Sequence, residues 1–121
     1  MTQEISCLIA DDHEVVREGL RTSLARTPHI QVIGEATDGE SAVALAKARH
    51  PDIVVMDVRM PKKNGFEATR TIVTNLPKTN VLLFTAHEEQ SLLLRGLEAG
   101  AKGYLLKESP KQRLIHAIEK V

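Results

Sequence analysis

The chain has 121 residues, and its 16 basic and 16 acidic side chains leave it formally uncharged at neutral pH. This length suits a single domain over residues 1–121, and the charge balance argues against a nucleic-acid-binding surface. Aromatic residues make up only 2% of the chain, which disfavours a stacking platform for bases. The single cysteine, Cys7, excludes an intrachain disulfide. With no apolar run long enough to span a membrane and no signal peptide, a soluble, cytoplasmic protein is expected.

Short apolar runs rich in β-branched residues predict five strands. The third run is apolar at every position, which is typical of a strand buried on both faces of a parallel sheet. In chain order the predicted strands are Ile5–Ala10, Ile30–Ala36, Ile53–Met56, Val81–Phe84 and Gly103–Leu106.

A segment with helical character follows each predicted strand. The first helix, over 13–26, has apolar residues at intervals of four. The next three are predicted over 41–49, over a segment that contains 69–76 and ends before Pro77, and over 88–99. For the last helix, Ser109 is predicted as the N-cap, Pro110 as the first helical residue and Gln112 as the partner in a capping box.

Five strand-then-helix repeats with short connections predict a parallel sheet covered on both faces by right-handed crossovers. The expected fold is an α/β, flavodoxin-like (βα)5 doubly wound sheet with strand order 2-1-3-4-5. Ligands of such sheets bind beyond the carboxyl ends of the strands, so polar residues at those positions are the first candidates for a functional site.

Polar side chains lie at the carboxyl ends of four of these strands. Asp11 and Asp12 follow the first strand, Asp57 follows the third, Thr85 follows the fourth and Lys107 follows the fifth. In the predicted strand order these four strands are neighbours. We therefore expect three carboxylates, a hydroxyl and an ammonium to converge on one pocket.

Crowded carboxylates repel one another and need a cation to remain ionised. Mg²⁺ suits a site with few protein oxygen ligands and several retained waters. Lys107 supplies a point charge for an anion and Thr85 supplies a hydrogen-bond donor. These are the parts needed to place a phosphoryl group on an aspartate oxygen. The five histidines lack zinc-ligand spacing, so no transition-metal site is predicted, and His13 is left without a role.

The pattern resembles the receiver domain of bacterial two-component response regulators, over the whole chain. The matching features are Asp11-Asp12, Asp57 followed by Met60-Pro61 and Gly65, Thr85-Ala86, Tyr104 and Lys107. The segments DDHEVVREGL at 11–20 and AGAKGYLLK at 99–107 resemble the NarL/FixJ class in particular.

The resemblance implies that Asp57 is the phosphoacceptor for a sensor histidine kinase. It implies that Asp57 and Asp12 bind Mg²⁺ directly, that Asp11 does so through water, and that the backbone carbonyl of Arg59 is a further ligand. The domain would assist its own phosphorylation and dephosphorylation without being an enzyme in the ordinary sense.

The resemblance also implies that Lys107 and Thr85 hold the phosphoryl oxygens and that Thr85 and Tyr104 form a switch pair. Arg59 and His87 would border the pocket mouth and tune the lifetime of the acyl phosphate. Arg59 stands where a shorter side chain is common in the family. Glu108 follows Lys107 where the family often has proline, so a cis Lys-Pro bond is excluded.

Regulators of this class usually carry a C-terminal helix-turn-helix output domain. The resemblance therefore implies a longer protein that regulates transcription through a DNA-binding domain missing from this sequence. Phosphorylation is expected to promote homodimerisation or docking through the fourth helix, the fifth strand and the fifth helix. Three consecutive leucines on the fourth helix, Leu92, Leu93 and Leu94, span too wide an angle for all of them to face the core. We expect Leu93 or Leu94 to face inward with Leu97, and at least one leucine to face outward.

Three other readings fit less well. A haloacid-dehalogenase-type phosphatase would need an acidic residue where Arg59 stands. A flavodoxin-like cofactor module would need a phosphate loop after the first strand and aromatic walls. A phosphate-independent interaction domain would lack part of the acidic set, which is complete here.

Overall fold

A computed structural model describes residues 4–60, 62–86 and 90–121, and these form five strands and five helices that alternate along the chain. The strands are β1 (Ile5–Ala10), β2 (Ile30–Ala36), β3 (Ile53–Met56), β4 (Asn80–Thr85) and β5 (Gly103–Leu106). The helices are α1 (Glu14–Ala25), α2 (Gly39–Arg49), α3 (Gly65–Asn75), α4 (Gln90–Ala99) and α5 (Lys111–Lys120).

The strands form one parallel sheet in the order β2-β1-β3-β4-β5, which confirms the predicted fold class and strand order. β3 lies at the centre of this order and is buried at every position, as expected for a strand covered on both faces. β1 and β4 flank it, so the segments that follow β1, β3 and β4 leave the same edge of the sheet side by side.

Two apolar layers cover the sheet, because successive strand residues point to opposite faces. On one face Leu8, Val54 and Leu83 pack against α2, α3 and α4. On the other face Ile9 and Val55 pack with the buried residues of α1 and α5. The aliphatic character of both layers follows from the scarcity of aromatic residues.

Helices α2 and α3 both begin with a glycine that packs directly on backbone. A Cβ atom at Gly39 would lie 1.8 Å from the carbonyl oxygen of Lys63, and one at Gly65 would lie 2.1 Å from the carbonyl oxygen of Asp57. Each glycine follows a side-chain N-cap, Asp38 for α2 and Asn64 for α3. The close approaches set the position of the loop that follows β3.

Two local expectations about helices are wrong. In the part of the chain that the structure describes, Pro110 is the N-cap of α5 and Lys111 is its first residue, with no side-chain cap bond and thus no Ser109–Gln112 capping box. Pro110 cannot cap with its side chain because it has no oxygen there.

The inward side of α4 also differs from the expectation. Leu92, Gly96 and Ala99 are buried, whereas Leu93, Leu94 and Leu97 are 38%, 53% and 53% exposed. Gly96 explains the change of face, because its missing side chain lets α4 approach Leu83 of the sheet. The expectation that at least one leucine faces outward is confirmed.

Three helices begin at residues other than the predicted ones. α1 begins at Glu14 and α2 at Gly39, whereas 13 and 41 are predicted. α3 begins at Gly65, four residues before the apolar repeat that starts at Thr69. Pro61, His87 and the predicted helix start at Glu88 lie outside the described residues. Within the described ranges, no helix has the length and apolar character needed to cross a bilayer.

Candidate functional site

The carboxyl ends of the central strands are held together by backbone hydrogen bonds that continue the sheet ladder. The Asp57 amide donates to the carbonyl of Ala10 over 2.8 Å, and the Lys107 amide donates to the carbonyl of Thr85 over 2.7 Å. The Asp11 amide donates to the carbonyl of Ala36 at the end of β2 over 3.0 Å. The sheet itself therefore fixes where the candidate side chains start.

The predicted convergence of acidic and basic groups is present. The Nζ atom of Lys107 lies 2.7 Å from Oδ2 of Asp11 and 3.4 Å from Oδ2 of Asp57. The Asp11 and Asp57 side chains are only 3% and 5% exposed, whereas Asp12 is 34% exposed at the rim. One lysine thus closes the inner end of a pocket whose two deepest groups are carboxylates.

The charge balance of this pocket is unfavourable for Asp57. Burial raises the pKa of the Asp57 carboxyl, and the nearby Asp11 carboxylate raises it further. Lys107 and the backbone amide of Val58, which donates to Asp57 Oδ1 over 2.9 Å, act in the opposite direction. The pKa of Asp57 remains raised, because Lys107 and the Val58 amide do not fully offset the cost of keeping this buried carboxylate charged beside Asp11.

Thr85 and Tyr104 occupy one face of the sheet. Thr85 is fully buried at the end of β4, and Tyr104 is half-buried in β5 opposite Leu83. Because side chains two residues apart on a strand share a face, Thr85 points to the same side as Leu83 and Tyr104, the side covered by α4. Both residues thus lie on the α4 side of the sheet, and the switch role implied for them stays a prediction.

Arg59 is exposed in the loop after β3. Together with Asn64, Leu92 and Arg95 it lines a small cavity of about 120 Å³ between this loop and α4. Arg59 therefore borders this cavity, and the lifetime role assigned to it stays a prediction.

Two residues that the sequence left without a role contribute to this site. Nδ1 of His13 lies 3.0 Å from Asp11 Oδ1 and 3.1 Å from Asp12 Oδ1. Arg17 donates from its guanidinium to the Asp11 carbonyl over 2.8 Å and also pairs with Glu35. The position of His13 directly after Asp12 is the sequence signal that could have identified it. The contact of Arg17 with Asp11 has no such signal, because it depends on how α1 is placed against the end of β1.

The donor set fits a divalent cation. Asp11, Asp12, His13 and Asp57 each offer one ligand atom, and these atoms all lie within 4.8 Å of one another. Carboxylate oxygens are the ligands that Mg²⁺ prefers, and partial exposure of Asp12 leaves room for retained waters. A doubly wound sheet with an acidic pocket closed by a lysine at its carboxyl edge defines a receiver-type α/β domain.

Comparison with known proteins gives the same result, and the chain belongs to the response regulator receiver domain family, whose model matches residues 7–119. The transcriptional regulatory protein DegU of Brevibacillus brevis is 42% identical over 118 residues, which are 98% of this chain and 50% of that protein. The chain spans about half the length of the curated relatives it matches.

Solved structures of two related proteins share the fold. A LuxR-family two-component response regulator from Aurantimonas sp. SI85-9A1 superposes with a TM-score of 0.92 at 40% identity, covering 97% of this chain and 84% of that chain. The signal receiver domain of the response regulator NarL from Mycobacterium tuberculosis superposes with a TM-score of 0.90 at 32% identity, covering 98% and 99%.

Proposed function

We propose that this domain is a phosphorylation-dependent switch in which Asp57 accepts a phosphoryl group in the presence of Mg²⁺. The observation that carries the proposal is the position of Asp57 at the centre of the sheet edge, buried, flanked by Asp11 and facing Lys107. A buried carboxylate whose pKa is raised by burial and by a second carboxylate is stabilised in its charged form by a bound cation.

In the transfer, an oxygen of Asp57 forms a bond to phosphorus while the bond between phosphorus and the donor group breaks. The donor is a phosphohistidine of a sensor kinase, whose imidazole leaving group takes up a proton from solvent, or a small acyl phosphate, whose leaving group departs as a carboxylate. Mg²⁺ supplies charge neutralisation for the phosphoryl oxygens when it is bound.

The residues of this chain position the reacting groups. Asp12 and Asp57 would hold the cation directly, Asp11 through water, and the carbonyl of Arg59 would complete the set. Lys107 already lies 2.7 Å from Asp11 and 3.4 Å from Asp57, so a small movement of its flexible side chain would bring its ammonium onto a phosphoryl oxygen.

The switch itself is proposed to use Thr85 and Tyr104. The Thr85 hydroxyl would turn toward the phosphoryl group, and the ring of Tyr104 would move into the space this leaves on the α4 side. Gly96 of α4 lies beside this ring, since a Cβ atom there would be 3.7 Å from it, in ordinary van der Waals contact. The movement would alter the surface formed by α4 and β5.

The proposed partners follow from this surface. α4 exposes Leu93, Leu94 and Leu97 next to β5, and apolar side chains grouped in this way favour protein contact. Phosphorylation would promote docking of a second copy there. In a longer protein of this class, the change would reach a DNA-binding output domain and so regulate transcription.

Beryllofluoride with Mg²⁺ tests the proposal, because it mimics the acyl phosphate without a covalent donor. Mg²⁺ alone should shift the amide resonances nearest the proposed cation ligands, and beryllofluoride should add further shifts at 57–60 and at Thr85 only when Mg²⁺ is present. These additional shifts are the response that is measured. Asp57→Asn should abolish the response. Asp52→Asn is the matched control, since Asp52 lies before the same strand at the opposite edge and hydrogen-bonds Ser6. Equal responses of both variants would overturn the assignment to Asp57.

A further inference from the structure

The imidazole of His13 completes the wall of the acidic pocket. Its Nδ1 atom lies 3.0 Å from Asp11 Oδ1 and 3.1 Å from Asp12 Oδ1, so a single nitrogen is shared between carboxylates of two residues. Asp57 contributes the remaining carboxylate, and the four ligand atoms all lie within 4.8 Å of one another. An imidazole nitrogen therefore stands among the oxygen ligands proposed for the cation.

The backbone explains why the ring returns to the pocket. His13 immediately precedes α1 in an extended conformation, with φ −97° and ψ 116°. Its own amide donates to Asp11 Oδ1 over 2.9 Å, which closes a tight turn over the carboxylate. This turn directs the side chain back to the two aspartates, although 65% of its surface remains exposed to solvent.

We propose that His13 is a further ligand of the cation and widens the metal range of this pocket to late first-row divalent ions such as Co²⁺. The inference rests on the proposed function of the site as a cation-dependent phosphoacceptor pocket. Oxygen ligands alone suit Mg²⁺, whereas imidazole is a ligand that later transition ions bind more strongly. The pocket would then bind Co²⁺ more tightly than an all-oxygen site would.

The ammonium of Lys107 and the imidazole of His13 contact different oxygens of Asp11, Oδ2 and Oδ1 respectively. Lys107 thus closes the inner side of the pocket and His13 closes the outer side. A metal ion that enters beside the rim residue Asp12 meets the imidazole first. Selection among metal ions would therefore depend on His13 and leave the inner lysine to the phosphoryl group.

The test compares the affinities of Co²⁺ and Mg²⁺, each measured by calorimetric titration of the whole chain. His13→Phe keeps a planar ring and removes both nitrogens, and the ratio of Co²⁺ to Mg²⁺ affinity should fall about tenfold or more. His116→Phe is the matched control, because His116 is an exposed histidine on α5, and its ratio should equal that of the wild type. Folding of each variant is checked by circular dichroism.

A second readout identifies the ligand directly. In the Co²⁺ form, proton NMR of the wild type should show a hyperfine-shifted imidazole N–H resonance, which excess Mg²⁺ removes by competition and which His13→Phe lacks. The same ratio in wild type and His13→Phe, or a shifted resonance that survives in His13→Phe, would overturn the inference.

Failure of the inference and failure of the proposed function are distinguishable. Wild-type protein that binds Mg²⁺ and beryllofluoride, with an unchanged ratio in His13→Phe, contradicts only the histidine ligand. Wild-type protein that binds neither Mg²⁺ nor Co²⁺ competitively contradicts the cation site as a whole.

Discussion

Gly65→Ala should destabilise the fold because the first residue of α3 is packed against the strand end that carries the phosphoacceptor. A Cβ atom at Gly65 would lie 2.1 Å from the Asp57 carbonyl oxygen and 2.8 Å from Cα of Val58. Real Cβ atoms essentially never approach closer than 3.0 Å, so backbone atoms would have to separate by about 0.9 Å. Both contacts are with main-chain atoms, which cannot rotate away as a side chain would.

The expected loss of unfolding free energy is about 1–3 kcal/mol, the usual cost of overpacking. The helix preference of alanine over glycine offsets little of this penalty, because it applies to helix interiors and Gly65 is the first residue of α3. Gly19→Ala is the matched control, because Gly19 lies in α1 and a Cβ atom there would meet nothing within 4 Å. That variant should be more stable than the wild type by about 0.5–1 kcal/mol.

Urea unfolding followed by far-UV circular dichroism measures both variants. Titration with Mg²⁺ under native conditions adds a readout of the site, since displacement of the Asp57 backbone should weaken cation binding in Gly65→Ala and leave Gly19→Ala unaffected. A Gly65→Ala protein as stable as Gly19→Ala would refute the steric reasoning.

Three further outcomes are expected. Arg59→Asn should shorten the lifetime of the acyl phosphate by about three- to tenfold, which is about 0.6–1.4 kcal/mol of barrier, because the shorter side chain no longer covers the phosphoryl group. An unchanged or longer lifetime, measured after the phosphate donor is removed, would contradict the covering role of Arg59. Leu94→Lys should abolish the mass increase that light scattering detects with beryllofluoride, whereas Val15→Lys, on the exposed side of α1, should retain it; no mass increase in the wild type excludes self-association. Burial raises the pKa of the Cys7 thiol to about 12, so a thiol reagent at pH 8 should label the protein only in denaturant, and rapid native labelling would contradict the buried β1.

Patterns of apolar residues were sufficient to predict the fold. The continuous apolar run of β3 and the helical spacing of Leu20 and Leu24 in α1 both reflect burial, and both residues of α1 are buried in the structure. Helix starts are predicted less well, because Gly39 and Gly65 are poor helix formers, and the local signal lies in the N-caps that precede them, Asp38 and Asn64.

The α4 and α5 errors have similar causes. The inward side of α4 depends on Gly96, whose role appears only once Leu83 lies beneath it. The proposed Ser109 cap was consistent with local propensity, but the chain enters α5 one residue later.

The part of the candidate site that lies at strand ends can be predicted from the sequence, because parallel strands bring their carboxyl ends to the same edge of the sheet. That rule places Asp11, Asp57 and Lys107 in one pocket, and the distances confirm the convergence. The same rule does not predict the contact of His13 with the carboxylates, because the conformation of the turn before α1, and not a strand end, directs its ring to them.

The most direct test of the central claim is the intact mass of the protein after incubation with acetyl phosphate. The account predicts that the wild type gains one phosphoryl group only when Mg²⁺ is present, and that Asp57→Asn gains none under the same conditions. Phosphorylation of Asp57→Asn to the wild-type extent, or of the wild type without a divalent cation, would contradict it.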